Sequence, residues 1–259
     1  MRRAALLLFC LLFWSGAAAA AEPCPELVAP PEIGLRENGL GAPRTPCAER
    51  SVSVRLRGGV TIDDGDSYRT FDGAALVEAR IPFPEFELDL AARAADYRYA
   101  RNGSLSASEW SAGPLIVGLM TPFGAGSVRM GQTIRVIVPG TDSGYGTVAW
   151  GFEVGLSAGA PISDRLSWHL GFDLVGAGAS SVSHAGVTLG GGAGYRAWRW
   201  LSFVVGAEFG IGWYGWDAVD AVLVRAGARL GPVMVSAAVP LAGQERQDAV
   251  FGVDVSVPY

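Results

Sequence analysis

The residues best suited to chemistry are few. The chain carries two histidines and three cysteines among 259 residues, and every one of its 20 basic side chains is an arginine. His169 and Asp173 stand four apart in "RLSWHLGFDLVG". On an extended strand that spacing is about 13 Å, too long for a direct pair. His184 follows Ser181 and Ser183 in "SSVSHAG", but neighbouring strand residues point to opposite faces, so Ser183 and His184 are poorly aimed as nucleophile and base. The glycine run "LGGGAG", Leu189 to Gly194, has no Lys-Ser/Thr after it and does not read as a phosphate cradle. No Cys/His spacing suits a metal. The expectation is a chain without catalytic, cofactor or metal site, whose functional groups are charges placed at alternate positions.

Those positions belong to strands. "TVAWGFEVGLSAG" sets Val148, Trp150, Phe152, Val154 and Leu156 on one face against Thr147, Ala149, Gly151, Glu153, Gly155 and Ser157 on the other, and "RLSWHLGFDLVG" and "LSFVVGAEFGIGW" repeat the pattern. The period is 2, that of a strand. Strands of a soluble sandwich run to about 5 or 6 residues. These runs are longer, and their polar face is glycine, alanine and serine around one or two charges. Tilted strands of roughly 9 to 11 residues, apolar outside and polar inside, are what a membrane barrel requires.

Twelve such strands are placed near 51–62, 71–81, 85–99, 113–122, 127–138, 146–159, 164–178, 184–196, 199–213, 218–230, 232–241 and 247–259. Their connections alternate between polar, longer segments such as "RNGSLSASEW" and "PGTDSGYG" and tight ones such as "PFP", "AWRW" and "GP". Bacterial barrels have short periplasmic turns and longer outer loops, which puts both termini in the periplasm. Trp168, Tyr195, Trp198, Trp200 and Phe203 then fall at the lower rim and Trp150, Trp213, Tyr214 and Trp216 at the upper, as two aromatic girdles.

This register aims one set of charges at the lumen: Arg55, Arg57, Glu78, Arg80, Glu87, Asp89, Arg93, Arg129, Arg135, Glu153, Asp173, Glu208, Arg225, Arg229 and Asp254. Lumen glycines such as Gly151, Gly155, Gly206 and Gly210 leave space beside them.

Ahead of the strands, Arg2 and Arg3 precede the apolar run Ala4 to Trp14 and the small residues up to Ala21. That is a signal peptide over 1–21. Residues 22–50 are rich in proline and glycine and read as an irregular periplasmic extension, a tether or a plug, ahead of the barrel at 51–259. Cys24 and Cys47 form an even pair in an oxidising compartment and are expected to join in a disulfide. Half the chain is apolar, 17% is charged and the net charge is −5. A basic nucleic-acid footprint is absent, so no nucleic-acid partner is expected.

The chain ends "FGVDVSVPY". An alternating last strand with a terminal aromatic resembles the assembly signal of bacterial outer-membrane β-barrel proteins, with Phe251, Val253, Val255, Val257 and Tyr259 at its positions. The resemblance implies the barrel-assembly machinery and outer-membrane lipid as partners. The expected fold is an all-β, transmembrane, antiparallel up-and-down barrel of twelve strands in a bacterial outer membrane. For function, a narrow channel or transporter for small solutes stands beside a closed structural barrel, an outer-membrane lipid hydrolase and a soluble periplasmic β-protein. The hydrolases of that membrane carry a His-x-Ser motif that this chain lacks.

Overall fold

A computed structural model describes residues 27–28, 46–47, 50–62, 69–102, 105–138, 150–178, 183–214, 217–243 and 249–258. Their strands are β1 (Ser51–Ile62), β2 (Arg69–Pro82), β3 (Glu87–Asn102), β4 (Leu105–Ser111), β5 (Leu115–Ala125), β6 (Val128–Ile137), β7 (Trp150–Pro161), β8 (Leu166–Gly178), β9 (Ser183–Trp198), β10 (Leu201–Tyr214), β11 (Asp217–Leu230), β12 (Val233–Gly243) and β13 (Ala249–Pro258). All pairing is antiparallel, between chain neighbours except that β3 pairs with both β4 and β5 and that the first strand meets the last, from Ser51 opposite Pro258 to Val60 opposite Ala249. The sheet is therefore closed on itself.

Thirteen segments make twelve staves, because β4 and β5 are two parts of one. β4 pairs with the outer half of β3, from Asp96 opposite Ser111 to Asn102 opposite Leu105, and β5 takes over at Ala92 opposite Leu115. Pro114 has no N–H to give at the join. The gap is bridged by Gly113 donating to the Arg93 carbonyl at 2.9 Å and Arg93 donating to the Pro114 carbonyl at 3.2 Å. The sequence expectation left Leu105 to Trp110 in a loop because the stretch is polar without an apolar period. Its strand state comes from β3, which runs on to Asn102 and presents a ladder to be paired, and from Trp110, whose ring sits 4.7 Å from that of Tyr97.

At one end the connections are short. Two-residue turns join β5 to β6, β9 to β10 and β11 to β12, and Gly126 and Gly231 take φ of +64° and +57° there, a region closed to most side chains. Four residues join β2 to β3 and β7 to β8. Both ends of the barrel chain, Ser51 and Pro258, lie at this tight-turn end. The opposite connections fall on residues outside those described. Pro240 is accommodated where the β11–β12 register shifts at Val222/Leu223, since a bulge tolerates a missing donor.

Val255 is paired on both sides, with Val54 of β1 and Val233 of β12. A proline there must break a ladder bond and leave an acceptor unmade, at about 1–3 kcal/mol. Val255→Pro is expected to lower the temperature at which the folded, fast-migrating gel form is lost, whereas Val255→Ala, which keeps the ladder N–H, leaves it within a few degrees.

Candidate functional site: the lumen

Burial along the strands runs opposite to that of a water-soluble protein. Leu56 is 55% exposed and Val257 54%, and Val54, Leu170, Leu189, Val205, Val235 and Phe251 are likewise open on the outer wall. The inward positions hold the ions: Glu78, Arg80, Glu87, Asp89, Arg135, Glu153, Asp173, Glu208 and Arg225 are buried. Arg55, Arg57, Arg93, Arg129, Arg229 and Asp254 are half-buried. The outward residues of the last strand, Phe251, Val253, Val255 and Val257, are exposed, and Tyr259 lies outside the described residues.

The buried ions are paired. Arg135 Nε lies 2.9 Å from Asp89 Oδ2, and its Nη1 3.6 Å from Glu153 Oε2. Arg225 Nη1 meets Glu208 Oε2 at 3.1 Å. At the seam Arg55 pairs with both Glu78 and Asp254, the latter at 2.9 Å, and Arg80 Nη2 lies 3.5 Å from Glu78. Thr188 Oγ1 donates to Asp173 Oδ2 at 3.5 Å. His169, with 5% exposure, also faces inward, and its two buried ring nitrogens have no hydrogen-bond partner among the described residues. No hydrogen bond joins it to Asp173 among the described residues, in keeping with their spacing. His184 pairs through its backbone with Ala177 and Tyr214, and its side chain lies outside the described residues.

Glycine makes these pairs possible, in a way the sequence reading missed. The Arg135–Asp89 contact reaches from β6 to β3 across β5, and the residue beneath it is Gly118, where a Cβ would stand 2.7 Å from Arg135 Cγ and 3.3 Å from Asp89 Oδ2. Gly206 lies under Arg225 Nε (3.2 Å), Gly190 under Arg225 Nη2 (3.4 Å), Gly155 under Asp173 and Gly192 beside His169 Cε1 (3.0 Å). The expected open space at Gly155 and Gly206 is thus occupied. Long polar side chains lie along the wall where the neighbouring strand has none.

Apolar residues bracket this charged belt. Toward the loop end, Ala91, Ile116, Ile137 and Val175 cluster with Leu76, and Leu223 clusters with Ala238 and Val250. Toward the tight-turn end, Val204 and Met234 pack with Val28 of the N-terminal segment. Val28 N–H donates to the hydroxyl of Ser167 at 3.1 Å, and Cys47 is buried. The expected partner of Cys47, Cys24, lies outside the described residues, as does the expected signal peptide.

Exposed aromatics gather near the tight turns. Trp198 and Trp200 stack at 5.8 Å, and Phe83 and Phe86 at 4.7 Å. Trp150 stacks on Phe152 at 6.3 Å near the other rim. The side chains of Trp213, Tyr214 and Trp216 lie outside the described residues.

Removing one member of a buried pair strands the other's charge, a loss of about 3–5 kcal/mol. Glu208→Gln and Arg225→Gln are each expected to destabilise the barrel by that order, and the double variant by less than their sum. Denaturant unfolding in detergent micelles, run as a double-mutant cycle, measures the difference.

No protein-family profile and no curated protein matches the sequence. Among solved structures, the chain is similar to an outer membrane channel from Pseudomonas putida F1, with a TM-score of 0.61 and 11% identity over 81% of this chain and 96% of that one. Weaker likenesses are to OmpT of Vibrio cholerae (TM-score 0.43, 8% identity, 80% and 96% covered) and to a porin (TM-score 0.36, 12% identity, 80% and 99% covered). The first likeness establishes the shape: a closed, twelve-stave antiparallel barrel of the kind outer-membrane barrel proteins have.

Proposed function

We propose that the protein is a bacterial outer-membrane barrel that acts as a narrow channel for small solutes, with its tight turns and both termini in the periplasm. The observation that carries this is the inversion of burial, apolar side chains outward and paired charges inward. Water does not stabilise an outer wall of leucine, valine and phenylalanine; a bilayer does, and it demands a closed sheet with no unpaired strand edge. The aromatic stacks at the rims fit the two lipid–water boundaries. The closing strand β13, with its outward Phe251, Val253, Val255 and Val257, supports insertion by the barrel-assembly machinery.

Twelve staves enclose more than eight, whose interior side chains alone fill. A path bounded by arginines and carboxylates, with the apolar clusters at Ile116 and Leu223 on its wall toward the loop end, suits small polar or charged solutes. The channel in Pseudomonas putida F1 has the same shape, which agrees with this function. A closed structural barrel is the second reading, favoured by one observation: Arg135 and Arg225 are each only 1% exposed and Glu153 0%.

The protein is expected to fractionate with outer membranes and, refolded into planar bilayers, to conduct. Replacing Arg135 and Arg225 by Gln removes two cations from the belt and is expected to move the reversal potential toward cation preference. Folded protein that stays silent across a range of voltages would favour the closed barrel.

A further inference from the structure

We propose that His169 and Arg225 are the two sides of a solute site on the lumen wall, which takes a small hydroxy acid by its carboxylate and its hydroxyl. That such a solute reaches the site rests on the channel reading above; the binding geometry does not.

The two side chains belong to one row across four strands. His169 of β8 stands opposite Gly192 of β9, Gly192 opposite Gly206 of β10, and Gly206 opposite Arg225 of β11. Neither middle position has room for a side chain: a Cβ at Gly192 would meet the carbonyl oxygen of Val205, and one at Gly206 would stand 2.8 Å from that of Gly191. The row is therefore bare between its polar ends. From one end, His169 brings Cε1 to 3.0 Å from the place of a Gly192 Cβ; from the other, Arg225 passes over Gly206 and brings Nη2 to 3.4 Å from that of a Gly190 Cβ. Both tips come to rest over β9, two residues apart on one face, which is about 7 Å along the strand. That is too far for a direct hydrogen bond and wide enough for a few atoms between them.

The hydrogen-bonding groups at these tips are unmet. Glu208 holds Nη1 of Arg225 at 3.1 Å, whereas Nε and Nη2, the side-on edge of the guanidinium, have no hydrogen-bond partner among the described residues, and neither have the ring nitrogens of His169. Both side chains are buried. Buried polar atoms in a folded protein nearly always have a partner, so four of them on two converging side chains mark a place for one. Its chemistry follows from theirs. Two parallel N–H groups on an arginine edge match the two oxygens of a carboxylate. An uncharged imidazole adds one donor and one acceptor, either of which a hydroxyl satisfies. Glu208 and Asp173, inward and buried nearby, repel a second negative charge, so a monocarboxylate is favoured over phosphate.

The test uses the full chain refolded in detergent micelles, with lactate, propionate and inorganic phosphate as probes, and compares the wild type with Arg225→Lys and His169→Phe. Heat-modifiable migration on gels checks that each variant forms the barrel. Calorimetric titration is expected to show lactate saturating the wild type, and propionate, which lacks the hydroxyl, binding roughly fivefold more weakly. Arg225→Lys keeps a charge beside Glu208 but loses the fork, and is expected to weaken both acids by on the order of tenfold. His169→Phe should bring lactate down to the level of propionate. No saturation by lactate in the folded wild type overturns the site. Lactate and propionate binding alike overturns the part given to His169, and phosphate binding as tightly as lactate overturns the choice of a carboxylate. Planar bilayers answer separately for the channel: saturable lactate binding to a protein that never conducts defeats the channel reading and leaves the site standing, and conduction without lactate binding does the reverse.

Discussion

Closure of the sheet is the condition on which every other feature depends. A strand edge carries unpaired N–H and C=O groups that need water or a partner. With β1 joined to β13, the staves satisfy their backbone groups within the sheet, and the outer side chains are released from any duty to hydrogen-bond. They can all be apolar, as Leu56, Leu170 and Val205 are. The same closure creates an inside, and the alternation of side chains sends to it every charge that the outer wall cannot hold.

Those inward charges are tolerable only when neutralised, and neutralisation requires reach. A guanidinium must lie flat along the wall to meet a carboxylate one or two strands away, and a neighbouring Cβ would obstruct it. Glycine at 118, 190 and 206 removes the obstruction. Strand register and ion pairing are thereby coupled: a slip of one residue would turn Arg135 outward and bring Val136 into the belt. The pairs hold the register and the register makes the pairs, which fixes a sheet that would slide easily if its inner face were only small residues.

The strands were legible in the sequence because their signal is long. A period of two sustained over ten or more residues has few competing explanations, and it also sorts the outer wall from the inner. What it cannot give is the partner. Nothing in the spacing of Asp89, Gly118 and Arg135 says that the first and last meet over the second, since that contact depends on which strands lie side by side and in what stagger. The break between β4 and β5 was missed for a related reason: "LSASEWS" has no apolar rhythm, and its strand state is imposed by the extended edge of β3. The contacts of Leu27, Val28 and Pro46 with the wall left the faintest trace. No apolar period surrounds these residues, and the glycines they meet, Gly131, Gly159 and Gly194, look in the sequence like any other small lumen residue.

The seam has a bearing on how the molecule comes into being. Of the twelve junctions, eleven join staves that follow each other along the chain and can zip as successive hairpins, each a local event. The twelfth joins Ser51 to Pro258 and spans nearly the whole barrel. It cannot form until the last strand has been synthesised. Synthesis and folding are thus separated in time by topology alone, and until the ring shuts, β1 and β13 each offer an unpaired edge to any strand nearby. The polar, serine-bearing inner row of β1, Ser51 and Ser53, and the mixed row of β13, with Asp254 and Ser256, make poor general-purpose edges. They make good ones for each other, through Arg55 and Asp254, so the last step of maturation is also the one in which the chain recognises itself.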